Sequence, residues 1–316
     1  MDIKEYLFRN KSIKILLLML LFLITSCASK KINSSQVGPE KPFVLTTFTI
    51  LADMASNVAG DRFAIKSITK PGSEIHGYQF TPSDLVKAKG AVLLIENGLG
   101  LESWIDKFSS SVGNIPKVVL SEGMEPILIE GDSYQGKPNP HVWMSPKRSI
   151  YYVDKLLEAF SKIDPDGVEI FESNANAYKE ELVELDKELR SYLSLIPPEK
   201  KILVSCEGAF SYLAQDYGME EAYLWPVNAE TQVTPRRMAA LIEKIKEKAI
   251  PTIFCETTVS SKAQKEVAKE SGAIFGGNFF VDSLSMPDGP ASTLLDLQRY
   301  NVRLIMKGLA AELNPE

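Results

Sequence analysis

From about Pro165 to Leu195 the sequence is one long charged stretch in which Tyr178, Leu182, Leu185, Leu189 and Tyr192 recur three and four positions apart. That spacing gathers all five on one stripe of a single long α-helix. Pro197-Pro198 stops it, because proline has no amide hydrogen and its ring clashes with the preceding turn. A helix of this length in mid-chain separates what comes before it from what comes after. At 316 residues the chain also exceeds the usual size of a single hydrophobic core. Two lobes are expected, one on each side of the helix.

Both sides carry the same alternation. Before the helix, Phe43–Ile50, Ala64–Ile68 and Ala91–Ile95 read as strands, and the stretches after Leu51, Thr81 and Glu102 read as helices. Thr81-Pro82 supplies an N-cap followed by the residue preferred at the first helical position. After it, Lys201–Cys206, Ala222–Trp225 and Thr252–Cys255 read as strands, and Phe210–Tyr217, Pro235–Lys248 and Lys262–Ser271 as helices. The fold class is therefore α/β: two βα lobes with parallel sheets joined by one long rigid helix. The expected boundaries are an N-terminal lobe over 43–163, the linking helix over 164–198 and a C-terminal lobe over 199–316. Ligands of such folds sit at the carboxyl ends of parallel strands or between lobes.

The first residues are of another kind. Lys4, Arg9, Lys11 and Lys14 precede an apolar run of ten residues from Ile15 to Ile24, which is an export signal and too short for a permanent span, since that takes about 20 apolar residues. Ile24-Thr25-Ser26-Cys27 resembles the lipobox of bacterial lipoproteins, which implies a signal peptide over 1–26, lipid attachment at Cys27 and a flexible tether over 27–42. A plain secretory cleavage near Ser26 or Ser29 is the alternative, and either way the chain is exported. Loss of residues 1–26 removes four of 35 basic and two of 41 acidic residues, leaving a net charge of −8. Nucleic acid is therefore excluded as a partner class. Of three cysteines, Cys206 and Cys255 remain after Cys27. In an oxidising compartment they can form one disulfide; thiolate metal ligands and buried reduced cysteines are the competing roles.

Only two histidines exist, His76 and His141. Both lie in loops rich in Gly and Pro, Lys70-Pro71-Gly72-Ser73-Glu74-Ile75-His76 and Pro138-Asn139-Pro140-His141. A lone loop histidine is more often exposed and inert, and sixty-five positions of separation demand assembly by tertiary folding. In the second lobe, Glu207 follows the strand ending in Cys206, Asp282 follows Phe279-Phe280-Val281, and Glu256 follows Cys255. Such carboxylates either reach solvent at the rim or face a cation, because isolated charge is costly to bury. Asp164-Pro165-Asp166-Gly167 lacks the spacing of a calcium loop and reads as a turn. No P-loop, serine-nucleophile elbow or HExxH motif occurs.

The segments KPGSEIHGYQFTPSDL, NGLGLESWIDKF, GKPNPHVWMSP, LVSCEGAFSYLAQDYG, YLWPVN and FVDSL together resemble the metal-binding family of ABC-importer solute-binding lipoproteins, closest to its manganese and iron branch. The likeness runs from about Phe43 to Leu309. It implies metal ligands at His76, His141, Glu207 and Asp282 in the interlobe cleft, no catalytic residue, and delivery of the metal to a membrane permease with a separate ATPase subunit. A monomer tethered to membrane lipid through Cys27, periplasmic or at the cell surface, is expected. Phe80 stands where the family often has proline and Gly100 where it often has asparagine; neither is a ligand position.

Two neutral imidazoles and two carboxylates carry formal charge −2, which balances a divalent ion, and this nitrogen and oxygen set suits manganese or iron(II) as transported cargo. Zinc is the alternative cargo, and raw affinity puts manganese below it. Zinc-importing relatives often carry a third histidine and a His-rich loop, and two histidines allow neither. A two-His-carboxylate metalloenzyme, which keeps coordination positions open, and a surface adhesin are the readings from other classes.

Overall fold

The computed structural model describes residues 41–130, 134–227 and 233–310. The signal peptide, Cys27 and the tether through residue 40 lie outside them. Among the described residues no helix is long and apolar enough to cross a membrane.

The first half builds a four-stranded parallel sheet from β1 (Phe43–Thr46), β2 (Ala64–Ser67), β3 (Leu93–Glu96) and β4 (Lys117–Val119), in the order β2-β1-β3-β4. Helices α1 (Thr49–Ala59), α2 (Pro82–Ala88) and α3 (Ile105–Val112) connect the strands. Thr81 caps α2 through a reciprocal box with Asp84, and Pro82 opens the helix. The second half contains β5 (Ile202–Glu207), β6 (Glu220–Trp225), β7 (Thr252–Glu256) and β8 (Ile274–Phe279), with α6 (Ser211–Tyr217), α7 (Pro235–Glu247) and α8 (Lys262–Ser271) between them. Here β5 pairs with β6 and β7 with β8, all parallel. Side chains join the two ladders edge to edge. The Gln264 amide donates to the Ser205 carbonyl at 3.1 Å and to the Phe254 carbonyl at 2.9 Å, and Cys206 is bonded to Cys255.

Helix α4 (Pro146–Ile163) precedes α5 (Val168–Ser194), whose 27 residues extend about 40 Å at the α-helical rise. The buried stripe of α5 is Phe171, Ala175, Tyr178, Leu182, Leu185, Leu189 and Leu193. The sequence reading put Tyr192 on it; Tyr192 is 45 % exposed, because the 3.6-residue period carries the stripe from Leu189 to the position four on, Leu193. Strand β1 ends at Thr46, four residues short of the expected Ile50. The Thr46 hydroxyl donates to the Phe48 carbonyl, and Ile50 and Leu51 continue the apolar run as the buried face of α1. Similarly β8 ends at Phe279 and leaves Phe280 and Val281 to the loop that leads to Asp282.

Helix α9 (Leu294–Leu309), which sequence periodicity did not single out, packs on α5 and β8. Thr293 caps it, accepting from the Asp296 amide and donating to its carboxylate. One continuous core includes the first sheet, α1, α4, α5 and α9, and a smaller core lies under β5 to β8. The long helix is thus packed along its length and holds the two halves as a beam.

Where α1, α5 and α9 converge, Asp53 accepts from the Leu294 amide at 2.9 Å. Burial pushes its carboxyl up to about 6; the amide hydrogen bond opposes this, while Asp296 and Glu181 add to it. Folded, Asp53 keeps its proton to about pH 6; unfolded, it loses it near pH 4. The folded state binds more protons in that window, so the contribution to stability falls as pH rises through it. Asp53→Asn keeps an acceptor for Leu294 and never ionises. Denaturant melts are expected to show it more stable than the parent at pH 7 by on the order of 1 kcal/mol, with the gap closing toward pH 4; equal stability at pH 7 would contradict this.

Candidate metal centre

Four side chains meet at the seam between the halves, each at or beyond the carboxyl end of a strand. His76 lies in the loop after β2, His141 just before a short 3-10 turn (Val142–Met144), Glu207 at the last position of β5, and Asp282 three residues past β8. All four are buried, none more than 5 % exposed. His76 Nε2 is 3.3 Å from Glu207 Oε1 and 3.8 Å from Asp282 Oδ1; His141 Nε2 is 3.9 Å and 3.6 Å from the same two oxygens. The imidazole centroids are 5.2 Å apart. His141 Nε2 and Asp282 Oδ1 are buried with no hydrogen-bond partner. Burial pushes the Asp282 carboxyl up, but His76 and His141 outweigh it and hold it below the usual carboxylate value.

The surroundings aim these groups. His76 is fixed through its backbone: Glu74 accepts from the His76 and Gly77 amides, Ser103 donates to the His76 carbonyl at 2.7 Å and the Trp104 indole to the Ile75 carbonyl at 2.8 Å. His141 is fixed through its ring. Asn139 Nδ2 donates to the Gly208 carbonyl at 2.7 Å, so its oxygen must face His141, where it accepts from the backbone amide and lies 2.9 Å from Nδ1. In its neutral form the ring therefore carries its proton on Nδ1 and presents the Nε2 lone pair to the cluster, the orientation a metal-binding imidazole needs. Gly208 has to be glycine for this approach, since a Cβ there would come within 2.8 Å of the Tyr223 ring.

The seam is tied at several further points. The Trp143 indole donates to the Val281 carbonyl at 2.9 Å, next to Asp282. The Ser283 hydroxyl accepts from the Gly72 amide at 2.7 Å, and Thr49 accepts from the Leu284 amide. The Arg148 guanidinium grips both oxygens of Asp216, which also accepts from Ser145.

Glu256, the third carboxylate noted in the sequence, lies behind Glu207 and accepts from the Cys206 and Glu207 amides at 3.2 and 3.3 Å. Burial pushes its carboxyl well above the usual range; the two amides oppose this and Asp282 adds to it. It braces the end of β5 from behind, and the carboxylates that face the two imidazoles are those of Glu207 and Asp282. Cys206, Cys255 and Glu256 are grouped closely enough to hold a metal, but the two sulfurs are bonded to each other, 2.00 Å apart, and offer no thiolate. Sequence reasoning named neither Asn139 nor Trp143 as a functional residue. Their only local signal is position, two residues before and after His141.

This architecture, two parallel α/β lobes with imidazoles and carboxylates buried at the seam, is that of the periplasmic metal-binding proteins. The manganese-bound periplasmic metal-binding protein from Candidatus Liberibacter asiaticus superposes with a TM-score of 0.79 at 35 % identity, covering 85 % of this chain and all of the other. The chain belongs to the family described as zinc-uptake complex component A, periplasmic, whose profile matches residues 44–308. The iron-binding protein YfeA of Yersinia pestis is 46 % identical over 286 residues, 90 % of this chain and 92 % of that protein. The manganese ABC transporter substrate-binding lipoprotein PsaA of Streptococcus pneumoniae is 33 % identical over 305 residues, 94 % and 98 % of the two chains. The family is one of substrate-binding proteins for ABC transporters, not of enzymes.

Asn139→Ala removes the group that sets the His141 tautomer. Manganese affinity is expected to fall roughly 10- to 100-fold, the usual effect of losing such a partner, with the melting profile nearly unchanged; calorimetric titration of the metal-free protein checks it, and parental affinity would contradict it.

Proposed function

We propose that this protein captures a divalent transition metal outside the cytoplasm and delivers it to the permease of an ABC importer, with His76, His141, Glu207 and Asp282 as the ligands, two from each lobe. Manganese or iron(II) is the favoured cargo and zinc the alternative. The observation that carries the reading is the mutual approach of those four residues in a buried cluster. Separations of 3.3 to 3.9 Å between imidazole nitrogens and carboxylate oxygens are short enough for one first-row ion, with bonds of about 2.0 to 2.2 Å, to bridge each nitrogen to each oxygen. Two carboxylates offset a +2 ion, which limits the cost of drying it. Bidentate contact by either carboxylate raises coordination from four to five or six, which manganese and iron(II) accept.

Four protein ligands surround the ion and leave the site suited to carrying metal instead of reacting with a substrate at it. On this reading the permease and its ATPase are separate subunits, Cys27 is the lipid anchor, and the protein works as a monomer at the membrane surface. The domain boundaries follow the same division, with α5 as the link between an N-terminal and a C-terminal lobe. The Cys206–Cys255 bond stiffens the ends of β5 and β7 and so holds Glu207 in register with the cluster.

Calorimetry on the metal-stripped mature domain tests the reading. One manganese per molecule is expected in the parent, and none in the His76→Ala, Asp282→Ala double variant. Saturation by zinc alone would reassign the protein as a zinc carrier, and binding of no metal would overturn the site.

A further inference from the structure

Asn139 is not the end of the hydrogen-bond chain that begins at His141. Its amide Nδ2, besides donating to Gly208, donates to the Ser211 hydroxyl at 3.0 Å. The Ser211 hydroxyl in turn donates to Glu221 Oε2 at 2.6 Å, and the Phe210 amide donates to the other carboxylate oxygen at 2.7 Å. The donors and acceptors run in one direction throughout: His141 Nδ1–H to Asn139 Oδ1, Asn139 Nδ2–H to Ser211 Oγ, Ser211 Oγ–H to Glu221. Both oxygens of Glu221 act as acceptors, and only an ionised carboxylate supplies two acceptors with no proton of its own.

The geometry points to Glu221 as a positioning residue for metal capture, acting through Ser211 and Asn139 to hold the His141 imidazole with its metal-binding nitrogen unprotonated. The inference rests on His141 being a ligand, as proposed above. Charge-assisted acceptors are the stronger ones, so Glu221 fixes the direction of the Ser211 hydroxyl, and the hydroxyl's lone pair joins the Gly208 carbonyl in keeping the Asn139 amide from rotating. The chain also crosses the seam: Asn139 precedes α5, whereas Ser211 and Glu221 follow it. Correct aim of His141 is thereby tied to contact between the two halves.

Glu221 lies on β6 beside a cavity of about 380 Å³ whose wall also includes Asn139, Gly208 and Ser211. An isosteric change there does not open a hole in a close-packed core. Burial pushes the Glu221 carboxyl up to about 7, against the hydrogen bonds from Ser211 and the Phe210 amide; measurements at pH 8 therefore keep it ionised.

The test is Glu221→Gln. Its amide NH2 either faces the Phe210 N–H, donor against donor, or donates to Ser211 Oγ and turns the hydroxyl proton away, so that Ser211 loses the charged acceptor that fixes its direction. With only two histidines in the chain, the ring nitrogens are resolved in a nitrogen–proton correlation spectrum of the metal-free protein at pH 8. The parent is expected to show His141 in the Nδ1–H form and the variant a mixture of tautomers, with manganese affinity roughly 10-fold weaker. Adding Glu221→Gln to Asn139→Ala is expected to weaken binding no further than Asn139→Ala alone, since both act along one chain. A folded Glu221→Gln protein with the parental tautomer and affinity overturns the inference. If that variant does not fold, Ser211→Ala breaks the same chain one link closer to the histidine and is read identically. A parent protein that binds no manganese, iron(II) or zinc refutes the reading of the metal site, and the tautomer comparison then decides the relay by itself.

Discussion

Burying two carboxylates and two imidazoles in one cluster is the constraint that the surrounding structure serves. The Asp282 oxygen that faces the histidines has no hydrogen-bond donor, and neither has the lone pair of His141 Nε2. In a typical interior such groups are satisfied by neighbours or water, because each bare one costs free energy. Here the neighbours are spent on holding the groups in place instead of neutralising them. Glu256 braces the end of β5, and Asn139 sets the ring of His141. A divalent ion is the partner whose charge and bond lengths match what is left.

The fold makes that concentration of charge mechanically possible. Parallel strands direct their carboxyl ends toward a common seam, so segments far apart in sequence bring one of the four side chains each. Helix α5 runs in the core shared by both halves, packed against α1, α4 and α9, so the seam closes onto a fixed backbone. The polar ties across it (Trp143 to Val281, Gly72 to Ser283, Arg148 to Asp216) set the depth to which the halves approach. Their small number and directional character suit a cleft that must hold an ion and later release it to a partner.

Much of this was legible in the sequence, and the reasons differ by element. Six of the eight described strands, all but β4 and β8, announce themselves as short apolar runs bounded by turn residues, and α8 appears with its bounds intact because Gly272 ends it. The residues of the cluster stood out by scarcity, two histidines in the whole chain, and by position after strands. What escaped depends on tertiary context. The end of β1 is hidden because Ile50 and Leu51 extend the strand's apolar run into the buried face of α1. Tyr192 and Leu193 are both apolar enough to close the stripe of α5, and helical phase alone decides between them. Helix α9 has a legible start in Thr293 and Asp296, but it follows loop-like residues. The roles of Asn139, Ser211 and Glu221 exist only once the halves meet, so no local pattern could assign them.

The central claim is that one ion sits among His76, His141, Glu207 and Asp282. Crystals of the manganese-loaded protein, measured at a wavelength where manganese scatters anomalously, test it directly. The account predicts a single strong anomalous peak within bonding distance of both Nε2 atoms and of a carboxylate oxygen from each acid. A peak elsewhere on the molecule, with this cluster closed and empty, would contradict it.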